Sequence, residues 1–160
     1  MKFDRTITEY LKFNKELHYA IRVCKWFHPS EDNPEKPTGF DNRYTWNVYL
    51  IVYKDCALYD KFKQVLDDPK CIHNYESWSV KAAYDYMDGI FDFDWHCGAT
   101  YMDYFGNQES IMIGDDYAHI DDNYECSSHE IPGSVESEAS RLYEYTEKLI
   151  LEGVNNEKEM

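Results

Sequence analysis

A chain of 160 residues with 43% apolar and 17% aromatic residues is long enough to bury the core of one domain, which excludes a disordered protein. Its 31 acidic and 16 basic residues give a net charge of −15, which opposes direct binding to nucleic acid or anionic membranes and favours partners with a basic surface. No apolar run reaches the roughly eighteen residues that span a membrane, and the N-terminus lacks the apolar stretch of a signal peptide, so we expect a cytoplasmic protein. The length predicts a single domain over residues 1–160.

The first segment predicts a helix that begins at Thr6 and ends near Phe27. Thr6 and Glu9 fit a capping box, in which each residue bonds a free backbone N–H at the start of a helix. Apolar side chains then recur at helical spacing, at Tyr10, Phe13, Leu17, Ile21 and Cys24. The following residues, 29–42, predict a polar loop because Pro34, Pro37 and Gly39 interrupt them.

The clearest strand pattern in the sequence is Tyr44–Tyr53. Its side chains alternate, and both resulting faces are largely apolar, so we place the strand in the centre of a sheet. Ala57–Leu66 predicts a short helix, because Leu58, Phe62, Val65 and Leu66 share one side.

The second half predicts both helices and strands. We expect a short helix at Trp78–Met87, and a strand at Ile90–Trp95, where apolar and acidic residues alternate. A hairpin should join Ala99–Phe105 to Ser110–Ile113 through Gly106-Asn107. The last helix should begin at Ser134 and end near Gly153. The fold class is therefore predicted to be α+β, with an antiparallel sheet of about three to five strands packed with N- and C-terminal helices.

The five cysteines favour reduced thiols over a disulfide framework or a zinc site. Their number is odd, and no C-x-x-C pair occurs among Cys24, Cys56, Cys71, Cys97 and Cys126.

Two groups of acidic residues and histidines lie in the sequence, one just before Gly98 and one just after Gly114. The predicted hairpin should bring both groups to one edge of the sheet. We expect four side chains to converge there, namely those of His96, Asp116, His119 and Asp122. Two imidazoles and two carboxylates could hold zinc, manganese or iron, and no other cofactor is predicted. Two alternatives remain open: a His–Asp general base, and local hydrogen bonds that only organise the loops. A Cys97–His96 pair is disfavoured, because neighbours along a strand face opposite sides.

Residues His96-Cys97-Gly98-Ala99-Thr100-Tyr101 resemble the motif H-G-G-x-T-Y of a family of small, mostly uncharacterised phage and prophage proteins. Residues 114–122 resemble the second motif of that family, G-F-D-C-A-H-x-x-D. In this chain Cys97 replaces a glycine and Asp115 replaces an aromatic residue. The resemblance implies a phage origin and marks a candidate functional cluster of His96, Tyr101, Asp116, His119 and Asp122. It implies no catalytic residue.

Three functions fit these observations. The first is a phage-type acidic protein that binds and inhibits a basic, nucleic-acid-handling host defence protein, in the manner of an anti-CRISPR or anti-restriction protein, because carboxylates can take the place of phosphates on Lys and Arg. The second is a small metal-dependent hydrolase or nucleotide-binding protein that uses the His/Asp cluster. The third is an accessory protein without catalytic activity.

Overall fold

The computed structural model describes residues 5–27, 44–69, 87–107, 109–117, 122, 125 and 128–158. It contains a five-stranded antiparallel sheet and two helices, which confirms the predicted α+β class. The strands are β1 (Arg5–Asn14), β2 (Tyr19–Phe27), β3 (Tyr44–Tyr53), β4 (Tyr101–Phe105) and β5 (Ser110–Asp116). Their order in the sheet is β1-β2-β3-β5-β4, so β3 is the central strand, as its two apolar faces predict.

The predicted N-terminal helix is wrong, because residues 5–27 form the hairpin of β1 and β2. The turn between the strands closes with a hydrogen bond from His18 N to Asn14 O of 2.9 Å, and His18 has a φ of 60°. In β2, Tyr19, Ile21 and Val23 are buried on one face of the sheet and Ala20 and Cys24 on the other. The apolar residues that match a helical period therefore also match a strand with two buried faces.

The second hairpin agrees with its prediction. Strand β4 pairs with β5 from Phe105 opposite Ser110 to Tyr101 opposite Gly114. Gly106 and Asn107 both have positive φ angles, 65° and 57°, as the turn requires. Strand β5 continues three residues beyond its predicted end at Ile113 and so carries its acidic residues into the sheet.

Two helices complete the described structure. Helix α1 (Tyr59–Leu66) confirms the predicted short helix. Helix α2 (Gly133–Lys158) confirms the predicted C-terminal helix but runs past Gly153. The predicted helix Trp78–Met87 lies outside the described residues, apart from Met87. Over the part of the chain that the structure describes, no helix is long and apolar enough to cross a membrane.

Residues Ile90–Trp95 are irregular and do not form the predicted strand. Phe91, Phe93 and Trp95 are nevertheless buried, as the alternating pattern indicates. Phe91 packs against Phe62 of α1 and Tyr145 of α2, with ring centroids 5.6 and 5.0 Å away. The Tyr145 hydroxyl accepts a hydrogen bond from the backbone of this segment, at 2.9 Å from Asp92 N. The alternating apolar side chains of this segment therefore pack against α1 and α2, and the segment does not pair with a strand.

The two faces of the sheet are covered differently. On the helix-bearing face, the main core joins strand residues such as Trp46 and Leu50 to α1, α2 and the segment 87–95. On the other face, which we call the aromatic face, the described core residues all come from strands: Ala20, Cys24, Tyr49, Ile51 and Met112, flanked by Trp26, Tyr53 and Tyr101.

Candidate functional site

The candidate site lies where the turn at residues 94–98 meets the end of β5 and the first turns of α2. The turn closes with a hydrogen bond from Gly98 N to Trp95 O of 3.1 Å. Cys97 and Gly98 both have left-handed φ angles, 54° and 87°. Such a conformation is uncommon for a residue with a side chain, and here it turns the chain back towards β4.

A pair of buried carboxyl groups anchors this turn. Asp115 of β5 and Glu138 of α2 are both 0% exposed, and both accept a hydrogen bond from the backbone N–H of His96. The distances from His96 N are 2.8 Å to Asp115 Oδ2 and 2.6 Å to Glu138 Oε2. The turn therefore depends on two acidic side chains that come from a strand and a helix.

The carboxyl groups of Asp115 and Glu138 also interact with each other. Burial, together with the hydrogen bond and the charge of Glu138, raises the pKa of Asp115 well above its usual value. Burial also raises the pKa of Glu138. Two buried carboxylates this close cannot both stay ionised, so we infer that the pair shares one proton, which Asp115 holds. Among the described residues, Asp115 Oδ1 and Glu138 Oε1 are buried and have no hydrogen-bond partner, so they are the oxygens between which that proton can be shared.

His96 and Asp122 come together as predicted. His96 Nε2 lies 2.8 Å from Asp122 Oδ1 and 3.0 Å from Asp122 Oδ2. The imidazole stacks on the ring of Tyr117, with a centroid distance of 3.9 Å and an interplanar angle of 4°. Asp122 is buried, whereas the side chain of His96 is 28% exposed. The pair therefore joins a partly exposed imidazole to a buried carboxylate.

The other predicted members of the cluster are placed differently. Asp116 accepts a hydrogen bond of 3.1 Å from the Thr100 hydroxyl, and its register puts it on the aromatic face. Tyr101 packs edge-on against Tyr49 on that same face, at a centroid distance of 5.8 Å. His119 lies outside the described residues.

Among the residues that the structure describes, no three His, Cys, Asp or Glu side chains are arranged to hold a metal ion. A metal site of His96, Asp116, His119 and Asp122 therefore stays a prediction, as does the hydrolase that would depend on it.

Cys97 is an exposed thiol beside the His–Asp pair. Its Sγ lies 3.9 Å from His96 Nε2. Residues 96 and 97 form a turn and not a strand, so their side chains do not face opposite sides as neighbours in a strand would. Both side chains border an open cavity of about 460 Å³, which is lined by Asp94, Trp95, His96, Cys97, Tyr117, Ser134, Ser137, Glu138 and Arg141.

Glu138 belongs to this site but was not predicted from the sequence. Glu138 lies on the apolar stripe of α2, three residues after Val135 and four before Leu142, and both of these residues are buried. Asp115 likewise follows the buried Ile111 and Ile113 at strand spacing. An acidic residue in register with a buried stripe is the signal that could have found both.

No family model, curated protein or solved structure matches this chain. The resemblance to phage proteins therefore stays a prediction, and the site is interpreted from its own geometry.

Proposed function

We propose that this protein is an acidic interaction protein of phage type, which binds and inhibits a basic, nucleic-acid-handling defence protein of the host. The observation that carries the proposal is the uneven placement of exposed acidic side chains on a chain of net charge −15.

Exposed carboxylates are numerous on the elements that cover the helix-bearing face of the sheet, and we call this surface the helix-bearing side. They occur on α1, on the segment 87–95 and on α2, at Asp60, Asp88, Asp92, Asp94, Glu136, Glu144 and Glu152. The charged residues whose register places them on the aromatic face are fewer, and all are half-buried: Arg22, Asp103 and Asp116. The helix-bearing side is therefore the surface that a basic partner would meet.

Carboxylates on this side have the chemistry to compete with nucleic acid. Lys and Arg side chains that bind phosphate also form charge-assisted hydrogen bonds with carboxylates. A field of one sign also accelerates association with an oppositely charged partner. A protein that handles nucleic acid would thus be occupied at the surface that its substrate needs.

Affinity capture from a nuclease-treated bacterial lysate tests the proposal, because the nuclease removes nucleic acid that could bridge basic proteins. We expect one basic, nucleic-acid-handling protein to be retained in stoichiometric amount at moderate salt. The triple variant Asp60→Asn, Asp88→Asn, Glu144→Gln removes three exposed charges from the helix-bearing side. It should weaken binding of that purified protein roughly tenfold, about 1.4 kcal/mol, and reduce the salt dependence of association.

A matched triple variant controls for net charge. Glu9, Glu16 and Asp55 are exposed in the bulge and turns of the sheet, outside α1 and α2, and neutralising them removes the same charge. We expect little change in affinity. If both triple variants weaken binding equally, only net charge matters; if no protein is retained, the proposal is wrong.

A further inference from the structure

Strand β1 forms an open edge of the sheet. Among the strands that the structure describes, it pairs only with β2, and it has ten residues where the other edge strand, β4, has five. Natural sheets protect such edges with short strands, prolines, bulges or charges, because the unpaired N–H and C=O groups can pair with another chain. The bulge of β1 lies at Glu9, so the run Tyr10–Asn14 has neither a proline nor a bulge.

The hydrogen bonds beside the first hairpin turn fix which residues of β1 bond to β2. Tyr53 N donates a hydrogen bond of 3.2 Å to His18 O, so the His18 carbonyl points towards β3. The N–H of Tyr19 belongs to the same planar trans peptide unit and points the opposite way, towards β1. Tyr19 is paired with Asn14, so Asn14 is a residue whose backbone groups bond to β2.

Leu11 and Phe13 direct their backbone groups to the open edge. Successive residues of an antiparallel strand direct their N–H and C=O groups to opposite sides, so Lys12 bonds to β2, as Asn14 does, and its two neighbours point away. The side chains of Leu11 and Phe13 are 44% and 52% exposed. The charge of Lys12 does not protect the edge, because its ammonium group lies over the Tyr143 ring, 3.9 Å from the centroid. The edge therefore offers unpaired backbone beside exposed apolar side chains.

Charge indicates which partner fits this edge. Residues 5–27 contain five basic and two acidic residues, a net charge of +3, so the rest of the chain carries −18. Two copies of a chain with a net charge of −15 repel each other least where the local charge is positive, since each basic hairpin attracts the acidic remainder of the other copy. A basic partner would be repelled from the same hairpin.

We propose that two copies of this chain associate through β1, which pairs antiparallel with β1 of the second copy and extends the sheet to ten strands. With Leu11 on the two-fold axis, Tyr10 of each copy lies opposite Lys12 of the other, whereas an axis at Lys12 would place two like charges opposite each other. Residues that lie opposite each other share a face, so both helix-bearing sides lie on one side of the joined sheet. The dimer forms without the host protein and does not depend on the proposed function.

Amide exchange of the unmodified protein, followed by NMR at increasing concentration, tests the pairing. One pair of strands buries less area than most stable interfaces, so we expect a dissociation constant in the micromolar range or weaker. Between about 50 µM and about 1 mM, the amides of Leu11 and Phe13 should slow at least about threefold, because they gain acceptors in the second copy. The amide of Lys12 bonds to β2 in each copy, so its exchange should stay constant.

Sedimentation equilibrium over the same range measures the association itself. Leu11→Lys places two like charges opposite each other on the axis and should weaken association at least about tenfold. Leu151→Lys is the matched control, because it makes the same change at a residue of α2 that is 47% exposed, and it should associate as the parent does. If circular dichroism shows that Leu11→Lys is unfolded, the amide measurement decides alone. A protein that stays monomeric at about 1 mM, or a dimer that leaves the Leu11 and Phe13 amides unprotected, would overturn the inference.

Discussion

The two faces of the sheet differ most at the end of β5, where three consecutive residues alternate between them. Asp115 points to the helix-bearing face, where a helix and a backbone N–H give its carboxyl group partners. Gly114 and Asp116 belong to the aromatic face. At Gly114 that face has no room for any side chain, because a methyl group there would lie 2.3 Å from both Tyr49 Cδ1 and the carbonyl oxygen of Val48.

The comparison shows what each face can bury. A carboxyl group is buried at low cost only where other elements supply hydrogen bonds and a shared proton. The aromatic face offers close packing of rings instead, so its core positions are apolar and its charged residues stay half-buried.

The largest expected effect comes from filling Gly114. Gly114→Ala forces a methyl group against the backbone of β3, which cannot move aside as a flexible side chain could. We expect a loss of about 3 kcal/mol or more in the free energy of unfolding, measured by urea denaturation.

Gly153→Ala is the matched control, because a methyl group at Gly153 would meet no atom within 4 Å and the residue lies inside α2. We expect a gain of up to about 1 kcal/mol, since alanine favours helix. Equal stability of the two alanine variants would show that the aromatic face is loosely packed at Gly114.

The buried carboxyl pair predicts an intermediate effect that depends on pH. The pKa of Asp115 is raised in the folded state, so its contribution to stability is complete below the unfolded value of about 4 and declines as pH rises towards the folded value. Asp115→Asn keeps a donor to Glu138 and an acceptor for His96 N but cannot ionise. We expect the stability of the variant, relative to the parent, to increase from pH 4 to pH 8 in urea denaturation.

Asp55→Asn removes one carboxylate from an exposed turn and controls for the change of net charge. Its stability relative to the parent should vary less with pH than that of Asp115→Asn. If the two variants behave alike, Asp115 does not hold a proton in the folded protein.

The smallest effect is expected at the rim of the aromatic face. Phe13 is 52% exposed and stacks on Tyr53 at a centroid distance of 6.2 Å, so Phe13→Ala should cost less than about 1 kcal/mol. Phe62→Ala on the other face removes a ring with 0% exposure and should cost about 3–5 kcal/mol. Similar costs, measured by thermal unfolding, would mean that the aromatic face is buried in solution, for example by self-association.

Much of the fold could be predicted from local pattern. Tyr44–Tyr53, the short helix before Asp67, the hairpin around Gly106-Asn107 and the C-terminal helix all follow from period and turn chemistry. The N-terminal hairpin could not, because Tyr10, Phe13, Leu17 and Ile21 fit both a helix and a pair of strands. The strand form is stabilised over the helix by β3, because β3 pairs with β2 along nine residues.

The candidate site likewise combines features that can be predicted from the sequence with features that cannot. The sequence by itself determined the acidic charge, the residue types at the site and the turn residues that bring His96 near the end of β5. Only the tertiary structure decided that Asp116 and Tyr101 turn to the aromatic face, and that Glu138 joins Asp115 beneath the turn. The reason is physical: charge and local backbone preference depend on residue type, whereas a buried carboxyl group is stable only where distant elements meet to share its proton.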